Sequence, residues 1–239
     1  MMTTKKTVLI TGANQGLGFE TAKQLAELGY YVYMGSRDRS KGIAAQKKLN
    51  ESGLSDVEFI EIDVTDINSI KSAKQELAAK TQQLDVLINN AGISGGSPQN
   101  MSTYEMENLR KVFETNFFGA VQTTQQFIDL LKESAAPRIV NVSSGLGSLQ
   151  FSNSHDFAFY AYGCSKTALN AFTVSLAKEF RNTNFKINSV EPGYTATNLN
   201  QYQGTQTVEE AVGIIVKSAT LGHDAPTGKF FWKEGEFAW

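Results

Sequence analysis

The run Tyr162-Gly163-Cys164-Ser165-Lys166 sets a phenol and an ammonium four residues apart. At the start of a helix that spacing puts both groups on one face. A tyrosine hydroxyl ordinarily titrates near ~10, so it is a poor acid–base catalyst at neutral pH. A nearby ammonium favours the phenolate and lowers that pKa. A phenol tuned in this way can pass a proton to a carbonyl oxygen as a hydride reaches the carbonyl carbon. The neighbouring Tyr160 has Cys164 at i+4 instead of a lysine, which singles out Tyr162. Such a pair is common by chance, so other residues must decide.

Two groups stand out upstream. Ser143-Ser144-Gly145 follows the apolar run of residues 138–142, and a hydroxyl at such a strand end either polarises the same carbonyl or simply belongs to a loop. Asn116 lies on a helical stripe with Leu109, Val112, Phe113 and Phe117 at i, i+3, i+4, i+7, i+8 spacing. A buried Asn needs partners. It bonds neighbouring backbone, or it orders water in a proton relay to Lys166.

A second cluster suits a phosphate. Thr11-Gly12-Ala13-Asn14-Gln15-Gly16-Leu17-Gly18 follows the apolar Thr7-Val8-Leu9-Ile10 and opens a helical pattern over residues 17–28. Strand, glycine turn and helix together present free N–H groups and the positive end of a helix dipole to an anion. The spacing is G-x-x-x-G-x-G, and no Gly-Lys-Ser/Thr follows, so it is not a P-loop. The second strand ends Gly35-Ser36-Arg37-Asp38. An acid at that strand end would bind a ribose 2′-hydroxyl, whereas an arginine receives a 2′-phosphate; with Ser36 and Arg37 in place and Asp38 late, the reading is NADP over NAD. Asp63 and Val64 end the third strand: the carboxylate either accepts from an adenine amino group, with the Val64 N–H beside it, or is a turn residue. Asn89-Asn90-Ala91-Gly92 ends the fourth strand, where small residues let backbone approach a ligand.

The elements that position these groups alternate. Apolar β-rich runs fall at residues 7–11, 30–35, 57–62, 84–89, 138–143, 185–191 and 228–232, and helical patterns lie between them, notably 66–82, 104–126 and 163–181. That order predicts an α/β fold: a single-domain, doubly wound, Rossmann-type parallel sheet of about seven strands with helices on both faces, covering residues 1–239. Loops 94–103, 145–161 and 194–207 all follow strand ends on one side, where open α/β sheets bind ligands.

Composition is consistent with this. The chain has 239 residues, a net charge of −2 and four prolines, with nothing in its charge to suggest nucleic acid and no stretch long enough to span a membrane. The polar start lacks a signal-peptide pattern, and a soluble cytoplasmic protein is expected. The lone Cys164 excludes an intrachain disulfide and is expected to be a small buried helix residue. His155 and His223 form no ligand cluster, so no metal is expected.

Taken together and in order, T-G-x-x-x-G-x-G at 11–18, Asp63, Asn89-Asn90-Ala91-Gly92, Asn116, Ser144, Tyr162-x-x-x-Lys166 and Pro192-Gly193 resemble the short-chain dehydrogenase/reductase family, most closely its carbonyl-reductase-like branch. The resemblance covers nearly the whole chain. It implies a tetrad of Asn116, Ser144, Tyr162 and Lys166. Tyr162 would be the general acid, Ser144 (the second serine of its pair) would hold the substrate oxygen, and Lys166 would bind the nicotinamide ribose. It assigns NADP(H) contacts to Gly12, Asn14, Gln15, Gly16, Leu17, Gly18, Ser36, Arg37, Asp63, Val64, Asn90, Ala91, Gly92, Tyr162, Lys166, Pro192 and Gly193. In Pro192-Gly193-Tyr194-Thr195-Ala196-Thr197 it puts the Thr195 backbone and the Thr197 hydroxyl near the carboxamide.

The expected activity is NADPH-dependent reduction of a small-molecule ketone or aldehyde. The alternatives are a 3-oxoacyl-type biosynthetic reductase and a non-catalytic NADP-sensing protein. The helices at 104–126 and 163–181 are, by resemblance, faces for a homo-oligomer, a dimer or tetramer. Phe151, Phe157, Phe159, Tyr194 and Tyr202 are candidates for the pocket wall, with about half expected in the core. The aromatic C-terminus, 232–239, is expected to fold onto the pocket or a partner subunit.

Overall fold

The computed structural model describes residues 5–155 and 159–239. The seven apolar runs become seven parallel strands: β1 (Thr7–Ile10), β2 (Tyr31–Ser36), β3 (Val57–Glu61), β4 (Val86–Asn89), β5 (Arg138–Val142), β6 (Lys186–Val190) and β7 (Phe230–Trp232). An eighth, β8 (Gly235–Glu236), turns back antiparallel on β7. The sheet order is β3-β2-β1-β4-β5-β6-β7-β8. The order reverses direction between β1 and β4, and a ligand crevice opens at such a switch point.

Side chains alternate across the sheet, so each strand feeds two cores. Val8 and Ile10 face one side, with Leu25 of α1 (Gly16–Glu27), Leu49 of α2 (Arg39–Glu51) and Ile215 of α9 (Gly213–Ala219). Leu9 faces the other, with Leu77 of α3 (Ile67–Ala78), Phe127 of α5 (Gly119–Lys132) and Ala177 of α7 (Tyr160–Glu179). Each fully buried Leu, Ile or Phe contributes about 1.5–3 kcal/mol, so burial on both faces explains why the strands read as almost continuously apolar.

Polar exceptions cluster beneath the crevice. Asn89, Asn141 and Ser189 occupy matched positions on β4, β5 and β6. Asn89 Nδ2 donates to Asn141 Oδ1 (2.8 Å) and Thr124 Oγ1 (3.0 Å), Asn141 Nδ2 donates to Thr173 Oγ1 (2.8 Å), and the Thr173 and Ser189 hydroxyls are 2.8 Å apart. This buried chain ties the three strands whose ends carry the candidate residues to α5 and α7. The remaining helices are α4 (Met106–Phe113), α6 (Leu149–Asn153) and α8 (Val208–Ala211). Among the described residues no helix is long and apolar enough to cross a membrane.

Candidate active site

The glycine loop owes its shape to its sequence. Gly12 and Gly16 sit at φ +65° and +55°. A Cβ on Gly18 would collide with the Gly12 carbonyl oxygen and come within 2.5 Å of Asn90 Nδ2, so only glycine lets α1 start so close to β1. Asn90 staples the turn: Nδ2 donates to the carbonyls of Thr11 (2.8 Å) and Gly12 (3.2 Å), while the Asn90 and Ala91 N–H groups each donate to Thr11 Oγ1 (3.0 Å). The Asn90 side chain therefore holds the loop.

The start of α1 fits an anion. Its N-cap, Gln15, makes no side-chain cap, whereas α2 and α3 are capped by Asp38 (onto Lys41 N–H) and Asp66 (onto Asn68 N–H). Space at Gly16 is bounded by Thr197, whose methyl lies 3.7 Å from where a Cβ would be. At the end of β2, Arg37 is exposed and forms no ion pair among the described residues. Asp38 is committed to capping α2, and the Lys41 N–H holds its carboxyl below the usual range. Asp63 Oδ1 accepts from Thr65 N–H (2.9 Å) and Thr65 Oγ1 (2.8 Å), the turn role expected as one alternative. Val64 packs on Gly119.

Asn116 lies within a π-helical turn, Glu114–Phe118, between α4 and α5. Such a turn inserts one residue into the helix ladder and re-aims its side chains. The amide pairs with backbone: Oδ1 accepts from Ile93 N–H (2.8 Å), and Nδ2 donates to the Ile93 carbonyl and Ser165 Oγ (both 3.0 Å). A Cβ on Gly92 would stand 3.3 Å from Asn116 Oδ1 and 3.6 Å from Lys166 Nζ, so both groups border the space that Gly92 leaves open.

Two further glycines seat the serine turn on α7. A Cβ on Gly163 would approach the Leu146 carbonyl to 2.8 Å, and one on Gly147 would approach Lys166 Cβ to 2.8 Å. This contact brings Ser144 beside Tyr162, close enough for its side chain to act on the phenol. Ser143 instead turns its hydroxyl to the Lys166 carbonyl (3.5 Å). Tyr162 N–H donates to Gln99 Oε1 (3.1 Å), and Gln99 Nε2 donates to the carbonyls of Ser94 (2.6 Å) and Gly96 (2.7 Å). The loop after β4 thereby caps the tyrosine helix.

Lys166 is buried, donates to the Val142 carbonyl (2.8 Å) and lies 5.6 Å from the Tyr162 ring centre. Burial pulls its pKa down to about 8, opposed by the Glu191 carboxylate. Burial and Glu191 together push the Tyr162 hydroxyl well above its ordinary value, while the neighbouring Ser144 works the other way. The phenol is therefore raised, where a lowering by the lysine was expected, and Tyr162 is held as the protonated acid.

The structure corrects two expectations, for Cys164 and for the aromatic residues of the loops. Cys164 is exposed. It sits two residues from both Tyr162 and Lys166, so helical geometry turns it to the opposite side. Phe151 and Phe159 are half-buried and Tyr194 and Tyr202 exposed, so none of these four is core; Phe157 lies outside the described residues. The C-terminus folds onto α6: Gln150 N–H donates to the Trp239 carbonyl (3.4 Å), and Phe237 packs 5.7 Å from Phe151 and 5.1 Å from Phe230. Loop 194–207 closes on itself through the Thr195–Gln206 bridge, and Gln206 Nε2 donates to the Pro192 carbonyl and to Thr195 Oγ1 (3.2 Å).

Residues 6–207 match the family model described as short chain dehydrogenase. The chain belongs to the short-chain dehydrogenase family. It is therefore an enzyme of an oxidoreductase family. The (+)-neomenthol dehydrogenase of Capsicum annuum is 32% identical, covering 97% of this chain and 97% of the relative. Salutaridine reductase from Papaver somniferum superposes with a TM-score of 0.86 at 29% identity, covering 96% of this chain and all of that one. NADPH-bound carbonyl reductase from chicken fatty liver superposes with a TM-score of 0.86 at 28% identity, covering 98% and 99%. Sequence reading missed Glu191, Gln99, Gly147 and Gly163 in this short-chain dehydrogenase; only the two glycines carried a sequence signal, as small residues flanking or inside the Ser144 and Tyr162 motifs.

Proposed function

We propose that this short-chain dehydrogenase is an NADPH-dependent carbonyl reductase whose residues 1–239 act as one cofactor-binding unit. The observation that carries the reading is that Asn116 and Lys166 border the space left by Gly92, while Tyr162 lies beside Lys166 and Ser144 beside Tyr162, at the strand ends that also carry the glycine loop. NADPH, when bound, supplies the hydride. Gly12, Asn14, Gln15, Gly16, Leu17 and Gly18 hold its pyrophosphate at the uncapped start of α1. Ser36 and Arg37 receive the 2′-phosphate, Asp63 and Val64 the adenine, Asn90, Ala91 and Gly92 the adjoining backbone, and Pro192, Gly193, Thr195 and Thr197 the carboxamide end. The NADPH in the chicken carbonyl reductase is in keeping with this choice of cofactor.

Tyr162 gives its proton to the carbonyl oxygen while the Ser144 hydroxyl donates to the same oxygen. A phenol held protonated suits the direction of reduction. Lys166 binds the nicotinamide ribose, and a water in the Gly92 space links its ammonium to Asn116 and returns the proton. Half-exposed aromatic side chains at the mouth, Phe151 and Tyr194 among them, favour an apolar ketone or aldehyde.

Two expected outcomes test this. Arg37→Ala lowers kcat/KM with NADPH by about ten- to a hundred-fold, the cost of one charge-assisted phosphate contact, and leaves NADH kinetics unchanged; an unaltered cofactor preference removes the argument for NADP. Lys166 is charged below about pH 8 and neutral above it. Since kcat/KM reports groups of the free enzyme, kcat/KM for NADPH should fall as pH rises through about 8. A profile flat through that region contradicts the ammonium's role in binding.

A further inference from the structure

The Glu191 carboxylate acts on both Tyr162 and Lys166, and the roles proposed above leave it unused. It stands directly after β6 and spans two pieces of backbone. Oε2 accepts from the Gly145 N–H and Oε1 from the Gly193 N–H (2.7 Å). Gly145 follows Ser144; Gly193 follows Pro192. One side chain therefore bolts the serine turn to the Pro-Gly turn, the two segments that flank the proposed nicotinamide position. Both oxygens accept from N–H donors, an arrangement that suits the ionised acid, since a protonated one must turn an O–H toward one of those N–H groups. Phe151, itself packed by the C-terminal Phe237, closes over Gly145: a Cβ there would lie 3.5 Å from Phe151 and 3.5 Å from Glu191 Oε2.

Among the described residues, the other titratable groups at this corner are Tyr162 and Lys166, both from α7, and Glu191 acts on each. Ser144 and Asn116 are neutral, and His155 is exposed, stacked on the outer side of Phe151 (3.9 Å between ring centres). Burial raises the Glu191 pKa, while the two N–H donors and Lys166 oppose that rise.

We propose that Glu191 is a positioning residue: its ionised carboxylate clamps the Ser144 turn onto the Pro192-Gly193 turn. The proposal rests on the carbonyl-reductase reading for its kinetic consequence and on the cofactor-free protein for its electrostatic one.

The test uses the full chain with ¹³C-labelled lysine, the Lys166 resonance being identified by its loss in Lys166→Arg. In Glu191→Gln without cofactor, the Lys166 titration should move down by about one pH unit, because the charge facing it is gone. In ketone reduction with NADPH, kcat should fall about tenfold while KM for NADPH changes less than about threefold, since the serine turn is misplaced more than the cofactor is. Glu191→Asp keeps the charge but is too short to span both N–H groups. It should leave the Lys166 titration near the wild-type value and still lower kcat, and it decides the matter if the Gln variant does not fold. An unmoved Lys166 titration in Glu191→Gln, or wild-type kcat in either variant, overturns the proposal. If the wild-type protein reduces no ketone, the functional reading fails, and the lysine titration still decides the role of Glu191.

Discussion

Replacing Tyr162 with Phe is expected to lower kcat for ketone reduction by about a hundred- to ten-thousand-fold, the usual worth of a positioned general acid. The ring is retained, so its packing near Lys166 persists. Only the hydroxyl and its interaction with Ser144 are lost. Even a full hydrogen bond contributes only about 0.5–1.5 kcal/mol to stability, so the melting temperature should move little and NADPH should still bind. The check is steady-state kinetics alongside a cofactor-binding titration. Full activity in Tyr162→Phe refutes the assignment of the acid. Loss of both binding and folding would instead make Tyr162 a structural residue.

The second large effect is expected at Gly18. Any side chain there meets backbone that cannot retreat: the Gly12 carbonyl oxygen on one side and Ala13 Cα at 2.9 Å on the other. Gly18→Ala should force α1 away from the loop and spoil the Asn90 staple. Overpacking of this kind typically costs about 1–3 kcal/mol. A lost loop geometry also removes the N–H groups offered to the pyrophosphate, so the Kd for NADPH should rise at least about tenfold, more than the general destabilisation of the fold explains. Calorimetric binding beside thermal unfolding separates the two. Unchanged affinity in Gly18→Ala would mean that the loop only turns the chain.

Much of this was legible in the sequence because it is local. The Tyr162–Lys166 pair and the glycine loop each lie within eight residues, and helix geometry alone puts their groups together. The strand pattern was equally readable, since strands buried on both faces must be apolar nearly throughout. What stayed hidden depends on contacts distant in the chain. Glu191 reads as an ordinary charged residue at a strand end until Gly145, 46 residues earlier, is seen donating to it. Gln99 caps a helix 63 residues downstream, and nothing in its own neighbourhood says so. Gly163 was an unremarked residue inside the Tyr-x-x-x-Lys spacing, yet its missing side chain is what admits the serine turn. The strand β8 is two residues long, too short for any periodicity. The Tyr162 pKa shows the same limit: the lysine was visible in the sequence, whereas the burial and the carboxylate that raise the phenol were not.

The central claim is that these residues form a working carbonyl-reduction site fed by NADPH. Its most direct test is to incubate the wild-type protein with NADPH and a panel of apolar ketones and aldehydes, following cofactor oxidation and alcohol formation together. The predicted result is NADPH consumption matched mole for mole by alcohol, much slower with NADH and lost in Tyr162→Phe. NADPH that binds tightly but is never oxidised, with any carbonyl in the panel, would contradict it.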